Sequence, residues 1–129
     1  MSVLSVISVI DDDASIRAAA NNLLSSHGYV VHTFESAEDF LQSAHQGDSS
    51  CVVADVQMSG MSGLDLLTHL RTRGNNVPFI FITAFPDESV RDRALRAGAI
   101  CFLSKPFPAS VLINGIEVAL NQPRGAAGK

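Results

Sequence analysis

A chain of 129 residues and 13.7 kDa holds one domain and leaves little room for a second core. With 47% hydrophobic and 17% charged residues and a mean hydropathy of +0.22, it is no disordered chain and needs neither disulfides nor a structural metal to fold. Thirteen acids against nine Lys and Arg, a net charge of −4, argue against direct nucleic-acid or acidic-membrane binding, and no apolar run approaches the ~20 residues of a membrane span.

The start, from Met1 to Ser5, lacks the basic lead and long apolar stretch of an export signal. A first β-rich run, Leu4 to Ile10, ends in Asp11, Asp12 and Asp13. Ile16, Ala20, Leu23 and Leu24 then repeat with helical period, and Gly28 follows where a left-handed C-terminal residue is wanted. Tyr29 to Phe34 is the second strand. Ser36 is an N-cap candidate for a helix carrying Ala37, Phe40, Leu41 and Ala44, with Glu38 and Asp39 as first-turn acids. The third strand, Cys51 to Ala54, runs into Asp55. Leu66, Leu67 and Leu70 mark a helix after Ser62, closed by Gly74. Phe79 to Ile82 runs into Thr83. Asp87 is expected to cap a fourth helix with Val90, Ala94 and Ala97 on one stripe, followed by Gly98. Ile100 to Leu103 leads into Ser104-Lys105, and after Pro108 a fifth helix carries Leu112, Ile116, Ala119 and Leu120.

Most of these strands are continuously apolar, the pattern of strands covered on both faces of a parallel sheet. Five strand-then-helix units with right-handed crossovers predict a doubly wound α/β domain with a five-stranded parallel sheet in the flavodoxin-like order 2-1-3-4-5. The domain is expected to span 1–121, with 122–129 a tail or the start of a linker. Cys51 and Cys101 lie in apolar runs and read as reduced core residues of a cytoplasmic protein.

Four of the five strands end in chemistry. Asp11 and Asp12, Asp55, Thr83 and Lys105 all stand at carboxyl ends of strands, where open α/β sheets place their ligands. In the order 2-1-3-4-5 the acids of strands 1 and 3 are neighbours about 4.8 Å apart, and Lys105 starts roughly 10 Å from Asp55, within reach of its side chain. Two carboxylates about 5 Å apart repel by roughly 3 kcal/mol at an effective dielectric near 20. So a proton is held, Lys105 compensates, or a divalent cation binds, and an all-oxygen site suits Mg²⁺ or Mn²⁺ better than zinc. A site of this kind prepares one carboxylate to attack a phosphoryl group in line.

The segments Val9-Ile-Asp-Asp-Asp13, Val53 to Leu67, Phe81-Ile-Thr-Ala84 and Phe102-Leu-Ser-Lys-Pro-Phe107 resemble the receiver domain of bacterial two-component response regulators, over roughly residues 5 to 120. The resemblance implies that Asp55 is the phosphoacceptor, Asp12 a direct metal ligand, and Asp11 an acid acting mainly through water on the metal. Gln57 would give a backbone carbonyl to the metal, and Thr83 and Lys105 would sense the phosphate. It further implies a cis bond at Lys105-Pro106, a switch aromatic at Phe102, and a sensor histidine kinase as phosphodonor. Asp13 has no fixed role there and is expected to cap the first helix. Three positions depart from the family's usual pattern: Ser59 replaces a proline, Phe102 lacks a tyrosine's hydroxyl, and Phe85 stands where access of hydrolytic water is governed.

The face of helix 4, strand 5 and helix 5, with Arg91, Arg93, Arg96, Val111, Ile113 and Val118, is the expected output or homodimer surface. Related receivers are often followed by a C-terminal DNA-binding domain, which the few residues after 120 are too short to hold, so the chain reads either as a single-domain regulator or as a fragment of a longer one. Two other readings stay open: a phosphate-independent pseudo-receiver, and a haloacid-dehalogenase-like phosphohydrolase with Asp11 as nucleophile and Asp13 as general acid/base. On the receiver reading the chain is expected to be a phosphoacceptor signalling domain rather than a conventional enzyme.

Overall fold

Runs rich in Val, Ile and Phe form five parallel strands, β1 (Val6–Ile10), β2 (Val30–Phe34), β3 (Cys51–Asp55), β4 (Phe79–Thr83) and β5 (Cys101–Ser104), in the order β2-β1-β3-β4-β5. The structure is a computed structural model that describes residues 5–43 and 46–121. The expected strand start at Leu4, the helical Ala44 and the tail at 122–129 lie outside the described residues. Between the strands run α1 (Ala14–Ser26), α2 (Ala37–Gln42), α3 (Gly63–Thr72), α4 (Glu88–Arg96) and α5 (Ala109–Leu120), with a short 3-10 turn at Gln46–Asp48 before β3.

The expected caps are in place. Asp13 accepts from the Ser15 N–H, Ser36 from Asp39, Ser62 from Asp65, and Asp87 from both Ser89 and Val90. Gly28, Gly74 and Gly98 take positive φ after their helices, as read from the sequence. Gly60 does so too, inside the β3–α3 loop, where no helix end announced it.

Every residue of β3 and β4 is buried, and alternate side chains feed two cores. Val52, Ala54, Phe79 and Phe81 pack with Phe40, Leu66, Leu67 and Ala94 beneath α2, α3 and α4. Val53, Ile80 and Ile82 pack with Leu24, Leu112 and Ile116 beneath α1 and α5. A period of two is thus hidden within each continuously apolar run, because both faces of the sheet are covered. β2 at the edge stays only half-buried. Ile113, expected on an outward face of α5, is instead part of the second core, whereas Val111 and Val118 are exposed. Cys51 is buried and Cys101 half-buried, and among the described residues neither is in a disulfide.

Register sets the stage for the site. Ile10 pairs with Ala54, Asp55 with Ile82, and Thr83 with Ser104, so β1, β3, β4 and β5 all end at one rim. Among the described residues no helix is long and apolar enough to cross a membrane.

Candidate functional site

At that rim the chain must stop pairing and turn, and polar residues are needed to satisfy the freed backbone. Asp11 follows β1 with its own N–H donated to the Phe34 carbonyl, and its Oδ1 accepts the Asp13 N–H at 2.9 Å. Asp55 ends β3 with Oδ1 accepting the Gln57 N–H at 2.9 Å. Each carboxylate therefore braces the loop that follows it, which fixes its second oxygen toward the neighbouring strand.

Lys105 meets those second oxygens. Its Nζ lies 3.0 Å from Asp11 Oδ2 and 3.0 Å from Asp55 Oδ2. The peptide bond Lys105-Pro106 is cis, as the resemblance implied. The Lys105 N–H donates to the Thr83 carbonyl at 2.7 Å, which anchors the base of the lysine to β4. Asp12 stands exposed beside them, and Asp11, Asp12 and Asp55 can each offer an oxygen within 4.8 Å of the others. Such an all-oxygen, acid-rich set, one member open to water, fits a hard divalent cation of the Mg²⁺ type.

The electrostatics follow from burial. Asp11 is fully buried, and this desolvation pushes its carboxyl above the usual range, against the pull of the Asp13 N–H and Lys105. Burial alone would lower the Lys105 ammonium, but hydrogen bonds and charge from Asp11 and Asp55 outweigh it and raise it. Lys105 is thus a fixed cation lying between two acids.

Thr83 is buried at the end of β4, and its Oγ1 accepts the Phe85 N–H at 3.1 Å. Phe85 itself is 71% exposed at the rim. Phe102 is half-buried on β5, paired in register with Phe81 and packed against the first core. Gln57 and Asp12 line an open pocket of about 580 Å³ together with Met58, Ser59, Val90 and Arg93.

Asp13 is spent on the α1 cap and Asp11 has no exposed surface, so the pair does not present the accessible nucleophile and free acid that a haloacid-dehalogenase-like site requires. Two contributors escaped the sequence reading. Arg17 reaches back from α1 to donate from Nη1 to the Asp11 carbonyl at 2.7 Å. Glu38 on α2 accepts the Met61 N–H at 2.9 Å, tying the β3–α3 loop. Glu38 was legible only as a first-turn acid, because a contact across 23 residues leaves no local pattern.

Comparison with known proteins agrees with this geometry. Residues 7–117 match the family described as the response regulator receiver domain. The chain is 39% identical over 123 residues to Nodulation protein W of Bradyrhizobium diazoefficiens, covering 95% of this chain and 54% of that protein. It is 40% identical over 125 residues to the Transcriptional regulatory protein TdiR of Thauera aromatica, covering 97% and 55% respectively. The chain spans about half the length of these curated relatives. The crystal structure of FixJ-N superposes with a TM-score of 0.84 at 34% identity, over 95% of this chain and 98% of that one. The response regulator StyR gives 0.84 at 41% identity, over 92% and 60%. With the strand order, the acids at one rim and the match over residues 7–117, the chain belongs to the receiver domain family of two-component response regulators.

Proposed function

We propose that this receiver domain takes a phosphoryl group onto Asp55 from a phosphohistidine of a sensor histidine kinase, in a reaction that requires Mg²⁺ or Mn²⁺. The observation that carries this reading is the Lys105 ammonium held 3.0 Å from both Asp11 and Asp55. A lysine so placed neutralises the acids at rest and is ready to follow charge as it moves.

Asp11, Asp12, Asp55 and the Gln57 backbone carbonyl are the groups that would hold the cation. When bound, it supplies charge neutralisation to the phosphoryl oxygens. An oxygen of Asp55 attacks phosphorus in line, the phosphorus–nitrogen bond to the donor imidazole breaks, and its electron pair stays on that nitrogen. As the carboxylate becomes an acyl phosphate it loses its charge, so Lys105 turns from Asp55 toward a phosphoryl oxygen while Asp11 retains it. Thr83 donates its hydroxyl to a phosphate oxygen and draws the β4–α4 loop inward, and Phe102 turns into the space left. The face of α4, β5 and α5 then changes shape toward an output domain or a second copy. Hydrolysis of the acyl phosphate resets the switch. The receiver domain is assigned to 1–121, with 122–129 a tail or the start of a linker.

The test is intact mass after incubation with acetyl phosphate and Mg²⁺, for wild type and Asp55→Asn. A gain of one phosphoryl mass in wild type and none in the variant supports the reading. A gain retained by Asp55→Asn shows the acceptor to be another residue. No gain in either leaves a phosphate-independent interaction module.

A further inference from the structure

The loop that joins β3 to α3 has firm feet. The Val56 N–H donates to the Ile82 carbonyl at 3.2 Å, the Gly63 N–H to the Val56 carbonyl at 3.0 Å, and the Ser62 hydroxyl caps α3. Between these bonds, Gln57, Met58 and Ser59 line the open pocket beside Asp12, and Gly60 and Met61 follow them in the loop. There an exposed side chain from another element takes hold. Glu38 Oε2 accepts the Met61 N–H at 2.9 Å, and this bond holds the Glu38 carboxyl below its usual range.

Gly60 completes the contact from the loop's side. With φ +79 it turns a bare Cα toward the same carboxylate, and a Cβ there would stand 2.7 Å from Glu38 Oε2. Two adjacent loop residues are thus fitted to one oxygen. α2 packs into the first core through the buried Ala37 and Phe40, so Glu38 is mounted on a fixed support.

We infer that Glu38 is a positioning residue that latches the β3–α3 loop from outside, holding the Gln57 carbonyl and the pocket wall in the arrangement that receives the divalent cation. The inference rests on the phosphoacceptor reading above, since that reading makes the Gln57 carbonyl a ligand. Glu38 touches neither cation nor phosphate. It acts by keeping a backbone segment in place, as outer-shell groups do at metal sites.

The experiment uses the full chain as wild type, Glu38→Ala, Glu38→Gln and Gly60→Ala. Exchange of the Met61 amide is followed by NMR without metal, and Mg²⁺ binding by calorimetry. Glu38→Ala is expected to speed Met61 exchange several-fold and weaken Mg²⁺ about tenfold, the lower end of outer-shell losses. Its thermal midpoint should stay near wild type, because an exposed side chain is removed. Glu38→Gln keeps an acceptor oxygen and should restore both properties, whereas Gly60→Ala, pressing on the contact from the other side, should weaken Mg²⁺ as Glu38→Ala does. Wild-type Mg²⁺ affinity in both Glu38→Ala and Gly60→Ala overturns the inference and leaves the phosphoacceptor reading standing. A Glu38→Gln that behaves like Glu38→Ala overturns it as well, because charge rather than the latch would then matter. Wild type that takes up no Mg²⁺ removes the phosphoacceptor reading and this inference with it.

Discussion

Asp11 is a carboxylate with no exposed surface, and Lys105 Nζ at 3.0 Å is the cation that compensates it. Removing the ammonium while keeping the stem, as in Lys105→Met, leaves a buried charge that must be carried uncompensated or protonated. The expected loss is about 2–4 kcal/mol in metal-free urea unfolding at pH 7, slightly below a fully enclosed pair because Lys105 keeps some contact with water. A loss under about 0.5 kcal/mol, the ordinary effect of a surface substitution, would contradict this account of the pair. The sign of the pH dependence follows from the same contact. The folded state holds the Lys105 proton more tightly than the unfolded chain, so its stabilisation is complete below the ordinary value of 10.5 and lost as pH rises through the raised folded value. Burial raises the Tyr29 phenol in the same alkaline range, with the same direction of loss, so wild type alone does not isolate the lysine. The gap between wild type and Lys105→Met should shrink from pH 7 to above 10.5, and an unchanged gap would show the lysine's charge to be irrelevant to it. Asp11 works in the opposite sense to a paired surface acid. Its raised carboxyl makes the folded state the better proton binder, so its contribution to stability falls as pH rises through the window above 3.8. Individual residues of this site were legible because each stands directly after an apolar run. Arg17 and Glu38 were not, since their partners are backbone groups that only the fold brings within reach.

At the junction of β3 with α3, the helix leaves the sheet almost touching it. A Cβ on Gly63 would stand 2.5 Å from the Asp55 carbonyl oxygen and 2.8 Å from the Phe81 ring, neither of which can step aside without moving a strand or the core. Gly63→Ala is therefore expected to destabilise by about 1–3 kcal/mol in chemical denaturation, the range for forcing an extra methyl into a packed region. The same shift should slow phosphorylation by acetyl phosphate, because it displaces the backbone of Asp55. A variant as stable and as readily modified as wild type would show that the junction relaxes around a methyl without moving Asp55. The elements themselves were largely readable. Strands β3 and β4 declared themselves as unbroken apolar runs, and Ser36, Ser62 and Asp87 marked three helix starts. Reading failed where local pattern and tertiary contact part company. Ile113 lies off the main stripe of α5 yet is buried, because β4 and β3 both press on that helix. Gly60 takes a positive φ beside Glu38, a neighbour 22 residues away that no adjacent residue records.

For the molecule as a whole, the question is how a change at the rim reaches the opposite side of the sheet's last strand. Two packed cores do not deform continuously, so the proposed phosphoryl group would act by favouring one arrangement over another. A swing from 1:99 to 99:1 requires about 5.5 kcal/mol of differential interaction. On the proposed reading, new charge-assisted bonds donated by Lys105 and Thr83 would supply part of it. Phe102 adds only packing, having no hydroxyl to exchange between water and protein. The face proposed for output carries exposed aliphatics: Leu95 on α4 is 37% exposed, and Val111 and Val118 on α5 are 37% and 51% exposed. With Arg91 and Arg96 of α4 they give that face the mixed apolar and charged character of surfaces that pair with a second copy. Sedimentation velocity with beryllofluoride and Mg²⁺ should therefore shift wild type toward the dimer, while Val118→Glu, which puts a charge in the patch, should stay monomeric and still bind the phosphoryl mimic. If wild type remains a monomer at high concentration with the mimic bound, homodimerisation is removed and the α4–β5–α5 face is left to act on an output domain. If both proteins dimerise alike, the contact lies elsewhere on the surface and Val118 is a solvated bystander.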